Sequence, residues 1–289
     1  MNKLVAGKRD ILFNLLIYGL LAFSLLVVLL PFLYVLFSSF STKAEYLSRG
    51  FYLFPREWTF NSYGYLANNK GFLSSYANTL YITVVGTAIN VFVTCLMAYG
   101  LSKSWLRGRS WLNFMVLFTM IFNGGMIPTY LVLKELSLIN TYWALFLSGA
   151  VAPFVLIIMR SFFSTIPAEL EESARIDGCS EWRLLFSIVI PLSLPSIVTV
   201  TLLYGVAHWN AYFQAILYLN DSAKWPVQVF LRQLLLETDS SMELNIGDYE
   251  YGPPVRMAAV IATALPLLLC YPFLQKYFNK GMFVGSVKG

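Results

Sequence analysis

Six stretches of this chain contain no Asp, Glu, Lys or Arg: 11–42, 71–102, 110–133, 136–159, 184–220 and 257–275. A helix needs roughly 20 apolar residues to cross the hydrocarbon core of a bilayer. Each charge at mid-bilayer costs about 2.5–3.5 kcal/mol on insertion scales. Six gaps of this length predict an all-α, polytopic membrane protein with six transmembrane helices, at about 11–38, 77–101, 110–131, 141–162, 189–219 and 255–275. Composition agrees, since 12% of the residues are charged, about half the share in soluble domains. A β-barrel is disfavoured, because its strands would alternate polar and apolar over about 10 residues.

The first run is 32 residues long and follows Lys3, Lys8 and Arg9. The apolar region of a signal peptide spans about 7–15 residues, so this run reads as an uncleaved helix. An even number of spans puts both termini on one side, and positive charge selects that side. Segments 1–10, 103–109, 160–183 and 276–289 hold 12 of the 20 Lys and Arg but only 6 of the 15 acids. They are expected inside, with the N- and C-termini cytoplasmic. The basic pI then reports membrane topology and not nucleic-acid binding, which would need a basic stripe on a soluble domain. No repeat appears at a period of about 20–50 residues, so residues 1–289 read as a single membrane domain.

The chain has no P-loop pattern and no HExxH. Cys95, Cys179 and Cys270 are far apart, without metal-ligand spacing, and the lone histidine, His208, has no obvious partner. No enzyme activity, metal or cofactor is expected of this chain. The runs also lack the intramembrane acids and bases that usually serve as ion relays, so uphill transport would draw its energy from a partner. A stand-alone secondary carrier stays open, because unwound backbone binds sodium without acids.

Local signals add detail. "FNGGMIP", Phe122 to Pro128, predicts a break near the outer end of the third helix. The aromatic segment 41–70 reads as an ordered interfacial loop. Between helices 4 and 5, segment 164–190 holds most of "EESARIDGCSEWRLLFSIVIPL", which runs from Glu171 to Leu192. Pro167 suits a first turn, Glu169, Glu171 and Glu172 favour the positive helix end, and Glu171 pairs with Arg175 four residues on. Gly178 is a natural stop, and Ser180 caps a second helix with an apolar face of Trp182, Leu185 and Phe186. The product is a helix-Gly-helix elbow on the inner side. It is either an amphipathic elbow that orients helix 5 or a knob for a soluble partner.

"EESARIDG" followed by "IVIPL" resembles the EAA loop of binding-protein-dependent ABC importer permeases. Glu172-Ser173-Ala174, Asp177-Gly178 and Ile188-Val189-Ile190-Pro191 carry the match. Ser173 and Cys179 depart from the usual alanines, and both are small. "YLFPREWTFNSY", "IPTYLVLKELSLINTYWALFL", "HWNAYFQAILYL" and the tail "YPFLQKYFNKGMFVGSVKG" are similar to the sugar-importing branch, the tail especially to permeases for complex-polysaccharide and aldouronate oligosaccharides. The resemblance implies a non-catalytic pore subunit of a bacterial cell membrane importer. Its implied partners are a second, different permease, two cytoplasmic ATPases that hold the ATP and Mg, and an extracellular sugar-binding protein. It makes 164–190 the coupling loop, with Glu171, Glu172, Ser173, Ala174, Asp177 and Gly178 as ATPase-coupling residues.

A sugar pathway wants amide or hydroxyl groups beside flat aromatic faces. Trp209, Asn210 and Phe213 in "HWNAYF" supply these, with 206, 209 and 213 expected on one helix face. Asn90 in helix 2 and Asn123 at the helix 3 break are further candidates.

Overall fold

The structure is a computed structural model that describes residues 8–236 and 249–281, with side chains over 13–236 and 249–272. Lys3, residues 237–248 and the end of the tail (282–289) lie outside the described residues. The described residues form helices joined by loops: α1 (Lys8–Ser38), α2 (Lys43–Ser48), α3 (Asn61–Asn68), α4 (Lys70–Ser102) and α5 (Arg109–Ile121). Then follow α6 (Met126–Glu135), α7 (Tyr142–Ser148), α8 (Pro153–Phe163), α9 (Ala168–Ile176) and α10 (Glu181–Leu184). The last are α11 (Ile190–Leu192), α12 (Leu194–Trp209), α13 (Phe213–Tyr218), α14 (Val227–Leu236) and α15 (Pro253–Gly281).

Three helical stretches are long and apolar enough to cross a membrane alone: Phe13–Ser38, Lys70–Ser102 and Pro253–Pro272. Three more candidates are bent pairs: α5 with α6 at 114°, α7 with α8 at 57°, and Glu181–Leu192 with α12 at 85°. The described residues therefore carry up to six spans, three of them broken. The break in the third was expected. It runs over 122–125, with Gly125 at φ +90° in the left-handed region that favours glycine.

The unbroken fourth and fifth spans of the sequence reading are corrected. The fourth stops at Ser148 and restarts at Pro153, the first residue of α8. Proline suits that place because its missing N–H needs no partner there. The fifth bends at Ser193 and ends at Trp209, with α13 beginning at Phe213. Just before Pro191 the chain widens into a π-helical turn, Leu185–Val189, in which the Ile190 N–H reaches the Leu185 carbonyl. Such a turn accommodates a proline without ending the helix. The break over 210–212 also corrects the expected common face of 206, 209 and 213.

The described chain packs as two compact units, Met1–Lys70 with Leu234–Thr263 and Gly71–Gln233 with Ala264–Gly289. In the first, the aromatic segment folds into α2, α3 and an ordered connection. The Glu45 carboxylate accepts from the Arg56 N–H at 2.9 Å and from the Arg49 guanidinium at 2.5 Å. Phe37, Phe40, Phe54, Trp58, Phe60 and Tyr63 form a chain of rings with centroids 4.7 to 6.5 Å apart.

The second unit is built along α4. One core joins Ala98 of α4 to Leu156, Met159 and Phe163 of α8, Leu184, Val189 and Val200. Another joins Ile82 to Phe146, Ala215 and Val229. Small residues let these helices approach closely, and Gly86 is the tightest place: a Cβ there would lie 2.7 Å from the His208 ring. Replacing Gly86 with Val should cost about 1–3 kcal/mol through overpacking, seen as a lower melting temperature of the detergent-purified protein. Gly100→Val, with nothing within 4 Å of the added Cβ, should leave that temperature close to wild type.

Candidate functional site

The elbow has the helix-Gly-helix form. The Gly178 N–H donates to the Arg175 carbonyl and the Cys179 N–H to the Ala174 carbonyl, both at 3.0 Å. Together they close the end of α9 with Gly178 at φ +80°. Ser180 then caps α10, accepting from the Arg183 N–H. Leu184, Leu185 and Val189 are buried, whereas Trp182 and Phe186 stack on each other and stay exposed. The apolar face of the second helix is thus rotated from the one expected.

The six coupling candidates separate into two sets. Glu172, Ser173, Asp177 and Gly178 are exposed, beside Leu170 and Ile176, an apolar pair that is also exposed. Ala174 is buried in the core. Glu171 also faces inward, where it pairs with Lys103, one residue beyond α4, and lies 3.8 Å from Arg175. Arg175 donates to Glu181 at 2.9 Å, and Tyr99 of α4 donates to the other Glu181 oxygen at 2.5 Å. Lys103 sits 4.1 Å from the centre of the Tyr99 ring. The last turn of α4 therefore holds both helices of the elbow.

Within the same unit lies a cavity of about 510 Å³. Its wall includes Asn90, Asn123, Thr129, Ser148, Tyr204, His208, Gln214 and Tyr218 as polar groups, with Met126, Leu145, Phe213 and Leu217 as apolar ones. Asn90 Nδ2 donates to the Gly149 carbonyl at 3.0 Å and lies 3.1 Å from His208 Nε2. The Tyr204 hydroxyl accepts from the Ala152 N–H at 3.0 Å and meets Thr94 Oγ1 at 2.7 Å. Both ends of the break in the fourth span are thereby held. Asn123 Oδ1 accepts from the Gly125 N–H at 2.8 Å and steadies the break in the third.

Of the pathway candidates, the structure brings Asn90, Asn123 and Phe213 to this cavity. Trp209 and Asn210 are not among its lining. The Trp209 ring is buried edge-on against Tyr76, and Asn210 is exposed, donating to the Val206 carbonyl and accepting from Gln228. Sequence reasoning missed Tyr204, Gln214 and Tyr218, and gave His208 no partner. A usable signal was present: Asn90 and Thr94 are four apart on α4, as are Tyr204 and His208 on α12, so each pair shares a face.

The model of a family described as "Binding-protein-dependent transport system inner membrane component" matches residues 4–284. The polygalacturonan/rhamnogalacturonan transport system permease protein YtcP of Bacillus subtilis (strain 168) is 48% identical over 286 residues, 97% of this chain and 100% of that protein. Protein LplC of the same organism is 46% identical over 292 residues, 100% of this chain and 98% of its own. A chain from the crystal structure of a bacterial ABC transporter involved in the import of the acidic polysaccharide alginate superposes with a TM-score of 0.86. That match has 33% identity and covers 94% of this chain and 98% of the other.

The elbow also sets a pH dependence. Burial alone would raise the Glu181 carboxyl, but hydrogen bonds from Arg175 and Tyr99 hold it below the ordinary carboxylate range. A depressed value stabilises the fold above the unfolded pKa of about 4.3, and this contribution is lost as pH falls through the folded value. The melting-temperature gap between wild type and Glu181→Gln should therefore be open near neutral pH and narrow on acidification. Thermal scans of the two proteins across that range check it.

Proposed function

The chain belongs to the family of binding-protein-dependent transport system inner membrane components, and on that premise we propose that it is the pore-forming subunit of an ATP-driven oligosaccharide importer. The observation that carries this reading is the exposed face of α9. Glu169, Leu170, Glu172, Ser173, Ile176 and Asp177 stand clear of the core at a rigid glycine corner, and Ile176 is 86% exposed. An apolar pair ringed by acids and small residues suits insertion into a groove of a soluble partner. That partner is a cytoplasmic ATPase, two copies of which hold the ATP and Mg and serve this permease together with a second one. The N- and C-termini are cytoplasmic, and a binding protein delivers sugar on the opposite side.

The cavity offers amides, hydroxyls and aromatic rings without a charged side chain among its lining residues, which suits hydroxyl-rich ligands. Asn90, Asn123 and Phe213 belong to the sugar pathway, joined by Tyr204 and Gln214, while Trp209 and Asn210 brace the end of α12. Oligosaccharides from complex polysaccharides are the proposed substrates, a reading supported by relatives named for polygalacturonan and alginate transport. ATP binding draws the elbows together and opens the cavity outward, and hydrolysis resets it. Each ligand shifts the balance only by its differential affinity for the two states.

Proteoliposomes holding the full set of subunits test this. Gly178→Pro forces φ to about −65° where the corner needs a positive value, and Glu172→Lys reverses the charge on the exposed face. Both should abolish binding-protein-stimulated ATP hydrolysis while membrane insertion persists. Sugar accumulation against a gradient by this chain alone, without an ATPase, would overturn the proposal.

A further inference from the structure

We propose that Lys103 and Glu171 form the joint through which the elbow moves α4, so that this pair positions the cavity in response to the ATPase. The inference rests on the importer reading above. Lys103 is 5% exposed and Glu171 8%, and no other Lys, Arg, Asp or Glu among the described residues is as buried. Taking both charges out of water costs several kcal/mol per ion, so a pair of this kind is a poor device for stability alone. It is a good device for holding two elements in one register, because a displaced partner leaves a bare charge in a low-dielectric site.

The elements it holds are the ones a transmission needs. Glu171 lies on α9 between the exposed Leu170 and Glu172, so a partner pressing on that face moves Glu171 with it. Lys103 directly follows α4, and the same turn reaches the second elbow helix through Tyr99 and Glu181. Thirteen residues back along α4, Asn90 holds Gly149, and Thr94 meets the Tyr204 hydroxyl that holds Ala152. At 1.5 Å per residue the joint and the cavity wall are about 20 Å apart on one continuous helix. The covalent route from the elbow into α12 instead turns through 85° at Ser193. The straight helix, gripped at its end by the ion pair and at its middle by the cavity wall, is the stiffer path.

The test uses the full importer in proteoliposomes, with Cys179→Ser and Cys270→Ser replacing the accessible thiols and Ser148→Cys as a reporter in the cavity. The readout is the change in maleimide labelling rate when ATP and vanadate are added. In this background a clear change is expected. Lys103→Glu and Glu171→Lys should each shrink that change about tenfold, and the double reversal should restore it, as a double-mutant cycle requires of an interacting pair. The yield of assembled complex, read alongside, separates a coupling loss from a folding loss: an assembled single reversal with a shrunken change reports coupling.

If neither single reversal assembles, Lys103→Met with Glu171→Met leaves no unpaired charge and is read the same way. An assembled but unresponsive complex supports the joint, and a responsive one overturns it. Singles that respond like the background overturn it as well. So does a loss confined to Glu171→Lys that the double reversal does not repair, which would put Glu171 in direct contact with the ATPase. Absence of any ATP-dependent change in the background itself counts against the importer reading instead.

Discussion

A backbone N–H or C=O in the hydrocarbon region has no water to turn to, and leaving one unpaired costs several kcal/mol. The second unit of this protein is organised around that constraint. Its broken spans leave backbone groups without their helical partners, and side chains from the chain itself meet several of them. Asn90 and Tyr204 satisfy the two ends of the break in the fourth span, and Asn123 closes the turn in the third. The cavity and the breaks are one feature, since the residues that open the helices also line the space.

The same logic explains where two polar pairs in the spans sit. Asn90 meets His208, and Thr94 meets Tyr204, across two helices that run in opposite directions. Each pair is spaced by one helical turn, so a single rotational setting of α4 against α12 satisfies both. Gly86 permits that setting by leaving room for the His208 ring. A histidine that looks solitary in the sequence is in fact a member of a two-rung ladder.

At the elbow the constraint changes character. The elbow lies where charge is tolerated, and it divides its residues between an outward face and an inward anchor. Glu172 and Asp177 remain in solvent, whereas Glu171 turns toward Lys103 and Glu181 binds both Arg175 and Tyr99. Adjacent glutamates thus do different work because successive side chains on a helix point about a quarter turn apart. The glycine corner fixes the angle between the two short helices through its backbone, at φ +80°, with open space where a side chain would stand.

What the sequence determined by itself was the class: an all-helical membrane protein with several long apolar stretches, and a helix-Gly-helix elbow. Charge-free runs and a Pro-Glu-Gly-Ser series are local patterns whose energetic reading needs no partner. The break at "FNGGMIP" was legible for the same reason, because glycine and proline act through their own backbone. Tertiary structure decided the rest. Pro153 and the Asn210–Tyr212 stretch break their spans where neighbouring helices accept the consequences, and no local pattern announces which neighbour that will be. Whether Glu171 faces a partner or Lys103, and whether Trp209 faces a cavity or Tyr76, depends on the rotation of each helix against the others. That rotation is set by packing among residues far apart in the chain, where single-residue propensities carry no information.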